Sequence, residues 1–261
     1  MKVVLFCGGL GMRLRDYSDK IPKPMVPIGY RPILWHVMKY YAAYGHRDFI
    51  LCLGYKADSI KRYFVEYDEF LSNDFVLKGS DPAPQLLHQD IHEWNITFVD
   101  TGYSSSIGER LRRVRKHLEG EEMFLANYSD NLTDFPLPHQ LERMREDPEL
   151  VASFLAVRPP HSFHVTKMDE DERVVDIHET RDADLWINGG YFCLRQQIFE
   201  YLKDGEELVV EPFRRLVAER RLLGQRYDGF WQNMDTFKDR SVLNDLHERG
   251  EAPWEIWSTD K

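Results

Sequence analysis

The chain has 261 residues, 43% hydrophobic and 30% charged, with a formal net charge of −10 at pH 7. That length suits one large domain, or one domain with a lobe, and the acidic balance excludes nucleic acid as a partner unless a local basic patch overcomes the repulsion. No stretch approaches the ~20 apolar residues of a membrane span. The short apolar run after Lys2 passes at once into Gly, Arg and Asp, which is no secretory signal.

Short apolar runs alternate with helical patterns along the first half. "KVVLFCGG" reads as a buried strand, "RPILWHVMKYYAAYG" as a helix with Pro32 near its start and Gly45 as its stop, and "DFILCLGY" as another buried strand. "ADSIKRYFVEYDEFL" reads as one helix, "ITFVDTG" as a strand, "IGERLRRVRKHLEG" as a helix and "EEMFLANYSD" as a strand. This alternation predicts βαβ units and a parallel sheet. After about residue 150 the texture changes. "LVASFLAVRPP", "HVTKMDEDERVVDIHET" and "LWINGGYFCLR" read as strands joined by polar turns, "EPFRRLVAERRLLG" as a helix, and "APWEIW" as a packing arm near the end, against a neighbouring subunit in one reading. The expectation is a single α/β domain over 1–261. Residues 1–150 form roughly one half; 151–261 form a mixed-sheet half with a C-terminal arm.

The one dense basic run, Arg110, Arg112, Arg113, Arg115, Lys116 and His117, is spaced around Leu111, Val114 and Leu118 as the solvated face of an amphipathic helix. Cys7, Cys52 and Cys193 each lie inside an apolar run, with no CxxC or Cys/His cluster. Buried free thiols fit a reducing cytoplasm and argue against zinc. His36 reads as a satisfied core histidine, and Trp94, Tyr191, Phe192, Phe230 and Trp231 as core aromatics. His161 and His164 lack the neighbours of a metal site.

The stretch with the most chemistry is "GGLGMRL", directly after the first strand. Glycines there bring backbone N–H groups close to an anion. A P-loop would need GxxxxGK[ST], and a dinucleotide fingerprint a third glycine where Leu14 stands; neither fits. Arg13 and Lys23 place two cations within reach of the loop, Lys23 stiffened between Pro22 and Pro24. Such charge suits a triphosphate and the departure of pyrophosphate. Asp130 ends an apolar strand and Asp235 comes after an aromatic approach. Either alone reads as a turn or cap; with a phosphate loop, the pair can hold Mg²⁺ at the carboxyl ends of strands.

"GGLGMRL" with "IPKPMVPIGYRPILWHVM" resembles the signature of sugar-phosphate nucleotidyltransferases. "DFILCLGYKADSIKRYF", "EWNITFVDTG", "GERLRRV", "WINGGYF", "FWQNMDT" and "GEAPWEIW" extend the resemblance, in order, to the glucose-1-phosphate cytidylyltransferase branch. The resemblance implies a Rossmann-like fold whose mixed, mostly parallel sheet is flanked by helices. It also implies Mg²⁺-dependent attack of a sugar-1-phosphate on a nucleoside triphosphate, CTP first and UTP or dTTP behind it. Transfer of this kind requires mainly positioning and charge neutralisation.

By the same resemblance, Phe6, Gly8, Gly9 and Gly11 lie against the nucleotide, with Thr101, Gly102 and Gly108 near its base. Arg13 faces the outer phosphates, and Lys23 the α-phosphate. Asp130 and Asp235 hold Mg²⁺, and Glu179, Asn188, Gly189 and Gly190 line the sugar side. A homo-oligomer is implied as well. Three departures stand out. The family's Glu-Lys-Pro is here Glu179-Thr180-Arg181, leaving Arg181 as the candidate cation for the sugar phosphate. Bulkier residues, Ser129 and Asn131, flank the metal aspartate. Ile107 and Glu109 replace a hydroxyl and a glycine near the base. The resemblance therefore holds the reaction type more firmly than the acceptor, for which a related phosphorylated sugar or polyol also fits. The other readings are a nucleotide-binding homologue without transfer activity and a dinucleotide oxidoreductase.

Overall fold

Seven strands build one central sheet in a computed structural model that describes residues 1–9, 21–79, 81–159, 164–180 and 183–257. They are β1 (Lys2–Phe6), β2 (Asp48–Leu53), β3 (Asn95–Asp100), β4 (Met123–Asn127), β5 (Ala152–Val157), β6 (Ile187–Arg195) and β7 (Leu222–Tyr227). Their order across the sheet is β7-β5-β6-β4-β1-β2-β3. Only β6 runs antiparallel to its neighbours; every other pairing is parallel. The expected mixed, mostly parallel α/β sheet is therefore present. The carboxyl ends of six strands leave one edge together.

Side-chain alternation divides β1 between two cores. Val3, Leu5 and Cys7 face one cluster; Val4 and Phe6 face the other. Both faces of such a strand are covered, which is why its sequence is an unbroken apolar run. The helix Ile33–Ala43 fills the first cluster and buries nine of its eleven residues. Pro32 caps its start, and Gly45 with φ +83° lies just past its end. Among the described residues no helix is long and apolar enough to cross a membrane.

Four features differ from the sequence expectation. The single helix over 57–71 is two, Ala57–Val65 and Glu69–Ser72, because the Asp68 carboxylate accepts the Phe70 and Leu71 N–H groups and starts a new turn. An unexpected hairpin, Phe75–Lys78 with Asp81–Leu86, comes next. The helix read through 211–224 stops at Ala218, and Leu222–Tyr227 is instead a strand pairing with β5. Short apolar runs do not separate helix from strand by periodicity.

The remaining feature concerns charge. The basic run forms the helix Ile107–Val114 and a 3-10 turn, Arg115–Leu118, but Arg110 is only 3% exposed. The C-terminal arm packs on its own chain. Trp254 is fully buried, its ring centroid 5.6 Å from that of Phe230, and its indole N–H donates to His36 Nδ1 at 3.3 Å. Truncating such a tryptophan to alanine costs about 3–5 kcal/mol.

His36 is held in one protonation state. An indole can only donate, so Nδ1 accepts and Nε2–H donates to the Ile28 carbonyl at 3.1 Å. Burial, against the weaker opposing pull of that Ile28 bond, lowers its pKa to about 3. The unfolded chain then binds more protons than the folded one between about pH 6.5 and pH 3, so stability falls as pH drops through that window. His36→Gln keeps a donor and an acceptor but does not titrate. Its melting temperature is expected to fall less steeply than the parent's from pH 6.5 to pH 4; equal slopes would show that His36 does not carry this acid sensitivity.

Candidate active site

The turn after β4 sets the first acidic group. The Asn127 side chain, fully buried, accepts the Ser129 N–H at 2.7 Å, and Ser129 takes φ +67°. That turn delivers Asp130 at the carboxyl edge of the sheet, as ligand sites in α/β folds require. Residues Asn131–Thr133 then pair antiparallel with Trp231–Asn233, with Asn131 opposite Asn233. Two segments some hundred positions apart are joined, and Asp130 and Asp235 come to the same place. The Met234 N–H donates to the Asp130 carbonyl at 2.8 Å, and the Asn233 amide to Asp235 Oδ2 at 2.8 Å. Behind Asp235, Thr236 and the buried Asp239 form a reciprocal cap on the helix Phe237–Glu248.

Lys23 stands between the two carboxylates. It opens a one-turn 3-10 helix, Lys23–Met25, entered from Pro22 and stiffened by the buried Pro24. Its Nζ lies 2.6 Å from Asp130 Oδ2 and 2.5 Å from Asp235 Oδ1. The lysine side chain is 13% exposed, and the aspartates about twice that. Burial pulls its pKa down, but the Asp130 and Asp235 charges and hydrogen bonds outweigh that and leave it above the ordinary lysine value. Two carboxylates on one ammonium leave the group net negative, so a further cation is favoured there.

That donor set answers the question of fit for Mg²⁺. Both aspartates already aim oxygens at a single cation, and hard oxygen ligands completed by phosphate and water are what Mg²⁺ takes. Among the described residues no group of three or more His, Cys, Asp or Glu clusters for a metal.

On the acceptor side, β6 begins beside β4. The Asn188 amide donates to the Tyr128 hydroxyl at 3.1 Å, and its carbonyl oxygen accepts the Gly190 N–H at 2.9 Å. Gly190 takes φ +77°, and a Cβ there would meet Tyr128 Cδ2 at 2.6 Å and Asn131 Nδ2 at 2.7 Å. Only glycine fits this point. The Trp231 indole donates to the Gly189 carbonyl at 2.8 Å. Glu179 ends the hairpin His164–Met168/Val174–Glu179, opposite His164. Thr180 is 6% exposed, and its carbonyl accepts the Ala183 N–H.

On the nucleotide side, Gly8 is buried and Gly9 exposed at the exit of β1. Three of the residues expected near the nucleotide are packed within the protein. The Phe6 ring is 4% exposed within the second core. Thr101 is fully buried, its hydroxyl donating to the Leu53 carbonyl and accepting from Arg110. Gly108 lies against the 202–206 loop, where a Cβ would meet the Glu206 carbonyl at 2.4 Å. Gly102 sits just beyond β3, its N–H held by the Asp100 carboxylate. Gly11, Arg13 and Arg181 lie outside the described residues. Sequence reasoning did not single out Asn127 and Tyr128, in "LANYSD" at the end of β4, and read Arg110 with the solvated arginines beside it.

The triad yields a test that needs no turnover. Lys23→Met leaves two carboxylates facing each other without a cation, at a cost of about 1–2 kcal/mol for a partly exposed group. The variant should melt below the parent at pH 7, and millimolar Mg²⁺ should raise its melting temperature more than the parent's. An Mg²⁺ response no larger than the parent's would mean that the aspartates are not a divalent-cation site.

Sequence comparison agrees with this geometry. The profile of the nucleotidyl transferase family matches residues 2–239. A glucose-1-phosphate cytidylyltransferase of Salmonella typhi is 37% identical over 259 residues, covering 98% of this chain and the whole of that protein. The enzyme of the same name from Salmonella typhimurium (strain LT2) matches equally, 37% over 259 residues. Among solved structures, HddC from Yersinia pseudotuberculosis, complexed with GMP-PN, superposes with a TM-score of 0.68 at 20% identity, covering 94% of this chain and 99% of that one; this supports the fold. Matched over nearly its full length, the chain belongs to the nucleotidyl transferase family and is a nucleotidyltransferase.

Proposed function

We propose that the protein transfers CMP from CTP to glucose-1-phosphate in an Mg²⁺-dependent reaction, releasing pyrophosphate and forming CDP-glucose. The observation that carries this reading is the convergence of Asp130 and Asp235 on one cation at the carboxyl edge of the sheet. The choice of base and sugar rests on the full-length similarity to the cytidylyltransferases. In the reaction, a phosphate oxygen of the sugar phosphate bonds to the α-phosphorus as the bond to pyrophosphate breaks. No covalent enzyme intermediate is required.

The chain's own groups then have distinct tasks. Asp130 and Asp235 would hold Mg²⁺, which supplies charge neutralisation at the phosphate oxygens. Lys23, once the carboxylates are engaged, carries its charge to the α-phosphate. Gly8, Gly9 and Gly11 present backbone to the triphosphate, and Arg13 steadies the departing pyrophosphate. Asn188, Gly189, Gly190 and Glu179 orient the sugar, and Arg181 is the proposed cation for its phosphate. The reading also takes the chain to work in the cytoplasm and as a homo-oligomer.

The experiment is pyrophosphate release across CTP, UTP, dTTP, ATP and GTP against a panel of sugar-1-phosphates and polyol phosphates, with and without Mg²⁺. The highest rate is expected for CTP with glucose-1-phosphate, lost without Mg²⁺. Asp130→Asn should lower kcat by at least about 10²-fold, the usual scale for removing preorganised charge at such a centre. A maximum in another column or row would replace the donor or the acceptor. CTP binding with no release from any pair would instead favour the nucleotide-binding homologue.

A further inference from the structure

Asp130 and Asp235 share a second feature: each has one oxygen on Lys23 and the other on an asparagine. Lys23 Nζ faces Asp130 Oδ2 and Asp235 Oδ1. Of the remaining oxygens, Asp130 Oδ1 accepts from Asn131 Nδ2 at 3.3 Å, and Asp235 Oδ2 accepts from Asn233 Nδ2 at 2.8 Å. Asn131 and Asn233 stand directly opposite each other in the antiparallel ribbon of 131–133 with 231–233. One cross-strand pair thus serves both carboxylates.

The two asparagines are held in different ways. Asn131 is 2% exposed. Its side-chain oxygen accepts the Asn127 amide at 3.5 Å, its main-chain carbonyl accepts the Tyr191 hydroxyl at 2.9 Å, and its Nδ2 fills space that a Cβ on Gly190 would need. These neighbours fix the amide toward Asp130. The side-chain oxygen of Asn233 is buried and has no hydrogen-bond partner among the described residues. A buried acceptor without a donor destabilises a fold, so packing alone does not account for an asparagine there. The hydrogen bond its side chain does make is the one to Asp235. A carboxylate with one oxygen tied to an amide presents the other one to a metal. The small Mg²⁺ ion is satisfied by single carboxylate oxygens completed by phosphate and water, whereas Ca²⁺ takes about six to eight oxygens and gains when a carboxylate gives both.

We propose that Asn131 and Asn233 are positioning residues that set the metal preference of the site: each ties down one oxygen of its aspartate, so that the pair offers two single oxygens, which suits Mg²⁺ or Mn²⁺ and disfavours Ca²⁺. The inference rests on the proposed function in taking Asp130 and Asp235 to hold the divalent cation, and on nothing said there of donor or acceptor.

The test is Mn²⁺ binding to the full chain with CTP, read by electron paramagnetic resonance and displaced by Mg²⁺ or by Ca²⁺, in the parent, Asn131→Ala and Asn233→Leu. Solution conditions are identical throughout, so that metal held by free CTP is common to all, and melting temperatures are recorded without metal. In the parent, Mg²⁺ should displace Mn²⁺ at a lower concentration than Ca²⁺ does. Each variant should bind Mn²⁺ about tenfold more weakly, the lower end of the usual effect of a group behind a metal ligand. The ratio of Ca²⁺ to Mg²⁺ needed for half displacement should fall in both. Asn233→Leu, of similar shape but without the orphaned oxygen, should melt at or above the parent, which loss of a merely structural asparagine would not give. Folded variants whose Ca²⁺-to-Mg²⁺ ratio matches the parent's would overturn the proposal, whatever their Mn²⁺ affinity. If Asn131→Ala does not fold, Asn233→Leu decides alone. A parent that binds no Mn²⁺ removes the metal site and this inference with it. A parent with the expected metal preference that releases no pyrophosphate with any acceptor would remove the proposed reaction and leave this inference standing.

Discussion

Two carboxylates held on one ammonium are the contact on which the site depends. Left alone, Asp130 and Asp235 would repel each other. Lys23 makes their proximity tolerable, and the proline-bounded turn that carries it fixes the distance. In the proposed reading the arrangement also defines its own ligand. One positive charge does not balance two negative ones, so the group keeps affinity for a further cation and rejects an anion arriving alone. A triphosphate that comes with a divalent cation satisfies both conditions.

The supporting structure is built around that contact. The Asn127 turn aims Asp130, the short ribbon of 131–133 with 231–233 brings up Asp235, and the Thr236–Asp239 cap anchors the helix Phe237–Glu248 behind it. On the other side of β1, Arg110 gathers three strand exits. A chain of net charge −10 thus keeps buried positive charge at the exits of β1, β2 and β3. Of the other basic side chains of that helix, Arg112 faces outward and pairs with Asp204, while Arg113 donates to the Thr101 carbonyl at 2.6 Å.

Much of this was legible in the sequence, and the reasons are local. β1 and β2 are apolar on both faces, so their runs announce buried parallel strands. Lys23 between prolines and the glycines after β1 declare a phosphate-directed loop. Asp130 and Asp235 were separately visible as strand-end carboxylates, but nothing in linear spacing pairs Asn131 with Asn233. Arg110 was hidden for a different reason. Its helical spacing matches that of the arginines beside it, and only the three-dimensional meeting of Gly8 and Gly54 makes room for it. The edge strand Leu222–Tyr227 was lost in an apolar run that continues the preceding helix pattern. Asp68 broke another helix through a capping bond that hydrophobic periodicity does not register.

The most direct test of the central contact is Mn²⁺ binding in the presence of CTP, measured by electron paramagnetic resonance in the parent, Asp130→Asn and Asp235→Asn. The account predicts nucleotide-dependent Mn²⁺ binding in the parent that is weakened by at least about tenfold in each variant, since each removes one charged ligand. Equal Mn²⁺ affinity in the parent and both variants would contradict it, and would leave the Lys23 triad a structural clamp.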